Sequence, residues 1–263
     1  MRETLPAVFL IARPAVDVDG MRAYLEDVGG ASWLDRRLAE AGSAGLNAGE
    51  AIVEFGGRAC YRSWEPGLNA NVTRVRTDQD EYFENILRSA HGSVLEHSNY
   101  SFVFRNVSRV FTHELVRHRA GSAFSQESLR YVRLTEIGFR VPPVLEPVRR
   151  QVIELVERLE EFQVSAAQEL GLDDEGIPFS VKKEVTSALR RLAPIGLSTD
   201  IVWTANVRTL RHVVEMRTAP GAEEELRLVF DQVARRMCDE APRLFQDFSR
   251  GEDGSWIPAY RKV

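Results

Sequence analysis

Residues 117–130 read RHRAGSAFSQESLR: Arg117, Arg119, Arg130, His118 and three serines surround a single carboxylate, Glu127. Arginine keeps its proton at any physiological pH, so guanidinium groups held this close repel one another unless phosphate or carboxylate oxygens lie between them. Alone, the stretch has two readings, a solvated basic face or a site for a small anion. The whole chain carries 34 Lys and Arg against 39 Asp and Glu, a formal net charge of -5. A general nucleic-acid binder has a basic balance and a basic stripe. Local positive charge on an acidic background points instead to a small anionic ligand, and no nucleic-acid partner is expected.

Around this stretch, strand and helix patterns alternate. Tyr100, Phe102 and Phe104 recur at every second position across Ser98 to Arg105, a strand with one aromatic face inward. Ser108 is placed to cap a helix carrying Val110, Phe111 and Leu115 to the core, which leaves Arg117-His118-Arg119 at a helix-to-loop transition. Downstream, Leu197 to Ala205 reads as a strand, and Asn206 as the cap of a helix from Val207 to about Thr218, stopped by Ala219-Pro220-Gly221. On that helix Asn206, Leu210, Val213 and Arg217 share one stripe, Arg208 and His212 another. Ala7 to Ala12 reads as a buried strand, Gly20 to Gly29 as a short amphipathic helix and Asp78 to His91 as a helix. Gly42 to Gly49 reads as a loop, and Glu50 to Trp64, interrupted by Gly56 and Gly57, gives no assignment. Val152, Leu155, Val156, Leu159 and Phe162 follow a heptad-like spacing that fits an outer helix or an oligomer contact. A last helix runs from Glu223 toward Phe248, kinked at Pro242.

With 263 residues, 44% of them hydrophobic, the chain can bury a large core. One domain over residues 1–263 is expected, with a helical insertion at about 142–176. It has no apolar run of about 18 residues and no leader pattern, so a soluble cytoplasmic protein without membrane contact is expected. Two cysteines, Cys60 and Cys238, build neither a disulfide framework nor a zinc site, and Cys60 reads as a small buried residue. His113 and His118 stand five apart, roughly 140° around a helix, against the four-residue spacing of a metalloprotease helix. No metal is expected.

Three blocks together resemble the flavin-dependent thymidylate synthases. In that family Arg-His-Arg is followed by Ser-x-Arg, here Ser128-Leu129-Arg130; the family form has seven residues between them, this chain eight, Ala120 to Glu127. His91-Gly92-Ser93-Val94-Leu95-Glu96-His97 is similar to the His-x-Thr/Ser-x-x-Glu-His segment that precedes the triplet; by residue type alone it is a loop with capping and turn roles. Asn206-x-Arg208 with His212 and Arg217, preceded by Arg190-x-x-Ala-Pro194 and Thr199, is similar to the family's second block. By residue type alone Arg217 is a snorkelling arginine at a helix end. The resemblance runs from about Cys60 to Arg217.

The resemblance implies a mixed α/β (α+β) fold, a central twisted and largely antiparallel sheet flanked by helices, and a homotetramer with active sites between subunits. It implies reductive methylation of deoxyuridine monophosphate with FAD, 5,10-methylenetetrahydrofolate as carbon donor and NADPH as reductant. The matched flavin positions are His91, Ser93, Glu96, Arg117, His118, Arg119, Ser125, Asn206, Arg208 and His212. The matched nucleotide positions are Glu114, Gln126, Glu127, Ser128, Leu129, Arg130, Arg190 and Arg217. Gln126 stands where some members have a carboxylate, and Glu114 where some have glutamine. Arg217 and Ser128 are the candidate catalytic residues. A fixed cation at Arg217 suits charge developing on the uracil carbonyls. Ser128 fits phosphate binding better than nucleophilic attack, because only Glu127 or Glu114 could serve it as a base. No cysteine nucleophile is required, and without a G-x-G-x-x-G fingerprint NADPH has no recognisable site of its own. Two other classes make distinct predictions. A nucleotide-sensing or RNA-contacting module binds without flavin and with steep salt dependence, and a hydrolase built on His91, His97, His113 and His118 holds a metal.

Overall fold

The chain, described over residues 1–263 in a computed structural model, opens with strands β1 (Arg2–Glu3) and β2 (Ala7–Ala12). Helices α1 (Val18–Val28), α2 (Ala31–Ala41), α3 (Ala48–Tyr61) and α4 (Gln79–Arg88) follow. Asp17, Asn47 and Asp78 cap α1, α3 and α4, each side chain accepting from the N–H three residues on. Next come β3 (Asn99–Ser108), the short helix α5 (Arg109–Leu115), β4 (Ser122–Gln126) and β5 (Gly138–Phe139). Helix α6 (Arg149–Glu169) falls within the stretch read as an insertion, and α7 (Phe179–Leu189) prolongs the helical excursion. The chain then returns through β6 (Ser198–Asn206), α8 (Val207–Thr218), α9 (Glu224–Glu240) and the hairpin β7 (Phe248–Arg250) and β8 (Trp256–Pro258).

Four strands form an antiparallel sheet in the order β2-β3-β6-β4. The period-two pattern of β3 turns Tyr100, Phe102 and Phe104 to the core, where all three are buried with Trp203 of β6. Helices α5, α8 and α9 cover that face: the Phe104 ring lies 5.4 Å from Phe111 and 5.9 Å from Phe230, and Trp203 lies 5.7 Å from Phe230. The opposite face is more open, as an antiparallel sheet permits. The sequence AVFLIA forms its strand, but at the sheet edge rather than buried: Phe9 is 49% exposed and Ile11 54%.

Helix α3 runs through the unassigned region. Gly56 and Gly57 within it lower its helix propensity by about 1 kcal/mol each, and packing supplies the reason for them. A Cβ at Gly57 would fall 2.3 Å from Tyr82 Oη, and one at Gly56 3.0 Å from His97. Small residues let α3 approach α4 and the segment before β3. Cys60, at the end of α3, is exposed rather than buried. Pro242 ends α9 rather than kinking it, since α9 stops at Glu240 and Pro242–Leu244 forms a single turn of 3-10 helix. Proline lacks the N–H that continuation would use. On α6 the buried positions are Val156, Gln163 and Ala167, leaving Leu155 and Phe162 of the heptad-like stripe exposed.

The N-terminal helices close around Glu54, which accepts from Trp33 Nε1 (2.8 Å), Arg37 Nη2 (2.9 Å), Arg58 Nε (2.8 Å) and Gln79 Nε2 (2.8 Å). Burial pushes its carboxyl up, but the hydrogen bond from Arg37 and the charges of Arg58 and Arg37 outweigh burial and hold it below the usual carboxylate range. Glu54→Ala would leave two buried guanidinium groups without their shared carboxylate. It should cost about 3–5 kcal/mol, read as a fall in Tm of roughly 10 °C, whereas Glu154→Ala, at an exposed pair with Arg150, should change stability by less than about 1 kcal/mol.

Candidate active site

Strand register brings one part of each sequence block, Glu96, Arg117-His118-Arg119 and Asn206 with Arg208 and His212, to one end of the sheet. Asn99 of β3 stands opposite Asn206, and Ser122 of β4 opposite Ala205. The turn before β3, the turn before β4 and the start of α8 therefore meet. Asn206 joins them: its Oδ1 accepts from Thr209 N–H at 2.8 Å, and its own N–H donates to the Gly121 carbonyl at 3.1 Å. Thr209 Oγ1 donates to the Ala120 carbonyl at 2.7 Å. Gly121 has φ +64°, and a Cβ there would fall 2.3 Å from Asn206 Nδ2 and 2.5 Å from Thr209 Oγ1. Only glycine fits this turn, on conformation and on space. From Ser122 onward β4 pairs with β6 in unbroken register to Gln126, so the longer spacing leaves the strand leading to Ser128 regular.

A cleft of about 650 Å³ opens at this end, lined by Glu96, Arg117, His118, Arg119, Arg208 and His212 together with Asn206. Arg208 Nη1 donates to Glu96 at 2.6 Å. Behind the rim, Arg217 donates from Nε to His118 Nε2 at 2.8 Å and from Nη1 to Glu114 at 2.6 Å. The Arg217 side chain is only 15% exposed. Burial, then the charges of Arg217 and His212, push the His118 pKa down to about 4. Neutral His118 must accept at Nε2, which puts its proton on Nδ1. Guanidinium groups beside a glycine turn suit an anionic group such as a diphosphate, and the unpaired Arg117 and Arg119 supply the donors.

Other matched positions lie elsewhere in the chain. His91 lines a separate recess and packs edge-on against Tyr61 at 5.6 Å. Ser93 is exposed, and Ser125 is exposed on β4. No group of three or more His, Cys, Asp or Glu is placed to hold a metal ion.

The Ser-x-Arg block sits at the opposite end of the sheet, where Ser108 pairs with Ser198. The five residues of β4 span about 17 Å at about 3.4 Å each, so the triplet and Ser128 mark two separate places. Leu129 packs into a small cluster with Ile137, Val156 and Leu197 and anchors the loop. Ser128 Oγ accepts from Arg130 N–H at 3.3 Å. The Glu127 carboxylate accepts from Thr199 at 3.4 Å and Gln126 donates to Thr112 at 3.1 Å. Neither Glu127 nor Glu114 contacts the Ser128 hydroxyl. Arg190 lines a recess of about 380 Å³ between this loop and the helical excursion, and Arg130 a groove with Lys183 and Arg191.

Sequence reasoning missed Arg109. Its Nη2 donates to the Glu127 carbonyl at 3.3 Å, while its buried Nε has no partner. Burial and the nearby Arg190 charge lower its pKa against the pull of Glu127. The signal was a cation at the first position of α5, where the helix dipole disfavours it.

A family model described as thymidylate synthase complementing protein matches residues 44–243. The flavin-dependent thymidylate synthase of Mycobacterium avium is 36% identical over 211 residues, covering 78% of this chain and 82% of that protein. That of Mycolicibacterium gilvum is 36% identical over 215 residues, with 78% and 82% covered.

A neutral His118 makes stability depend on pH. The folded chain binds its proton at about 4 and the unfolded chain near 6.5, so between these values the unfolded state holds more protons and stability rises with pH. The stability difference between wild type and His118→Gln should widen from pH 4 to 6.5 and stay level above. A pH-independent difference in urea titrations would remove the neutral imidazole.

Proposed function

The chain belongs to the thymidylate synthase complementing family, the flavin-dependent thymidylate synthases, and is an enzyme of that type; on that premise we propose a specific chemistry for it. It converts deoxyuridine monophosphate to thymidylate with FAD as the flavin, 5,10-methylenetetrahydrofolate as carbon donor and NADPH as reductant. The net reaction replaces the uracil C5–H bond by a C5–methyl bond: the methylene carbon gives up its two bonds to folate nitrogens and gains a hydride from NADPH, while the C5 proton and one solvent proton balance the two N–H bonds of tetrahydrofolate, leaving NADP+. The flavin, when bound, supplies the hydride transfer between NADPH and nucleotide.

The observation that carries this reading is the joining of Arg217 to His118 at the rim of the cationic cleft. Arg117, Arg119 and Arg208 would hold the flavin's pyrophosphate, with Asn206 and Gly121 shaping the turn beside it. Arg217 stabilises negative charge on the uracil carbonyls in a largely water-excluded position. His118 and Glu114 fix the plane of that guanidinium, and neutral His118 adds no second charge to oppose it. Ser128, Arg130 and Arg190 bind the nucleotide phosphate, and the unpartnered Nε of Arg109 joins them. Glu127 and Gln126 hold the loop that presents Ser128.

Because the flavin and phosphate residues stand at opposite sheet ends within one chain, the proposed site draws them from two chains of a homotetramer. The exposed Phe9 and Ile11 on the sheet edge, and Leu155 and Phe162 on α6, offer apolar surface for such contacts. NADPH uses the flavin face. No helix is long and apolar enough to cross a membrane, and a cytoplasmic setting suits the substrates.

The purified protein should have flavin bands near about 375 and 450 nm that bleach under anaerobic NADPH, faster when deoxyuridine monophosphate is present. Arg217→Ala should keep the flavin spectrum and lose about 10²- to 10³-fold in kcat. A colourless protein that takes up no added FAD would contradict the proposal.

A further inference from the structure

The segment after residue 243 lies outside the family match, yet it returns to the cationic cleft. Hairpin β7–β8 packs on α8, the helix that carries Arg208, His212 and Arg217. Trp256 N–H donates to Thr218 Oγ1 at 2.8 Å. Asp247 pairs with Arg211 of α8 at 2.7 and 2.9 Å, both side chains 4% exposed. The Asp247 carboxylate also accepts from Tyr260 N–H at 3.2 Å, and its carbonyl accepts from Ala259 N–H at 3.0 Å. A buried ion pair rooted in α8 thus sets the direction in which the chain leaves β8.

That direction leads into the cleft, where Arg261, Lys262 and Val263 form part of its lining. Val263 packs against the main core. It passes so close to Gly92 that a Cβ there would fall 2.6 Å from its carbonyl carbon. The segment is therefore seated, with a bare glycine making room for it. The charge balance of the lining is one-sided. Glu96 pairs with Arg208, and Arg261 reaches Glu215 at 3.1 Å. Arg117, Arg119 and Lys262 enter no ion pair. Three cations around one cleft call for a ligand with more than one negative charge.

We propose that Arg261 and Lys262 are cofactor contacts, closing on the pyrophosphate of the flavin and completing from the segment after β8 a site whose other wall comes from the family blocks. The inference rests on the flavin reading of the cleft. The seat of the segment depends on the buried Arg211–Asp247 pair, on Thr218 and on Gly92; removing the two basic side chains gives up only the exposed pair of Arg261 with Glu215.

The test uses the full chain, stripped of flavin, titrated with FAD and separately with riboflavin, which has the same ring and no phosphate, while flavin fluorescence is followed. The double variant Arg261→Ala, Lys262→Ala should raise the Kd for FAD about 10-fold or more and leave that for riboflavin unchanged. The charge-keeping pair Arg261→Lys, Lys262→Arg should stay near wild type. Equal FAD affinity in wild type and the double variant overturns the inference and leaves the flavin reading standing. Equal weakening toward FAD and riboflavin overturns the charge contact, and tighter FAD binding by the double variant makes the segment an obstruction. Wild type that binds neither flavin removes the underlying reading instead.

Discussion

The antiparallel pairing of β3 with β6 is the constraint on which both halves of the site depend. It sets Asn99 opposite Asn206 at one end and Ser108 opposite Ser198 at the other. A slip of one residue would turn Phe102, Phe104 and Trp203 out of the core. Each buried aromatic ring removes 150–250 Å² from water, roughly 4–6 kcal/mol at about 25 cal/mol per Å². The register is therefore held by apolar burial on one face, while polar chemistry is delivered at the strand ends. The close contacts of Asn206, Gly121 and Thr209 then fix the cleft without drawing on its arginines.

Seen this way, the interval between Arg-His-Arg and Ser-x-Arg is a strand. Its length separates two clusters of basic side chains, and the turn at Gly121 feeds a regular β4. Short spacing in sequence usually suggests one ligand; here the strand between the blocks carries them to opposite ends of a sheet. Helix α5 runs in the other direction over about 10 Å at about 1.5 Å per residue, with Arg109 at one end and Glu114 near Arg217 at the other. A mutation in either block should act on a different part of the chemistry, and a complete site needs both.

Much of this was legible from residue pattern. The alternation in β3, the serine cap of α5 and the asparagine cap of α8 appear where the pattern placed them, because period and capping are local properties. Helix α3 was not legible, since the reason for Gly56 and Gly57 lies in Tyr82 and His97, far along the chain. The apolar run of β2 does not distinguish an edge from a buried strand, and Cys60 gave no local sign of its exposure. Among the site residues, Glu96, Arg117, His118, Arg119, Asn206, Arg208 and His212 share one cleft. Arg109 carried only a weak local sign, a cation in the first turn of α5, and its missing partner is visible only once Glu127 and Arg190 are folded against it. The last residues escaped because two buried ion-pairing side chains, Arg211 and Asp247, steer them, and neither looks unusual in sequence.

Subunit complementation decides whether a working site joins the cationic cleft of one chain to the phosphate loop of another. Arg208→Ala disables the first half and Arg190→Ala the second, and each variant alone should be inactive. Co-assembled from equal amounts, they should recover about a quarter of wild-type thymidylate synthesis, because symmetric association leaves some sites with both halves intact. Mixed assemblies, verified by differently tagged chains, that recover no activity would mean that each chain builds its own site and would contradict a site shared between chains.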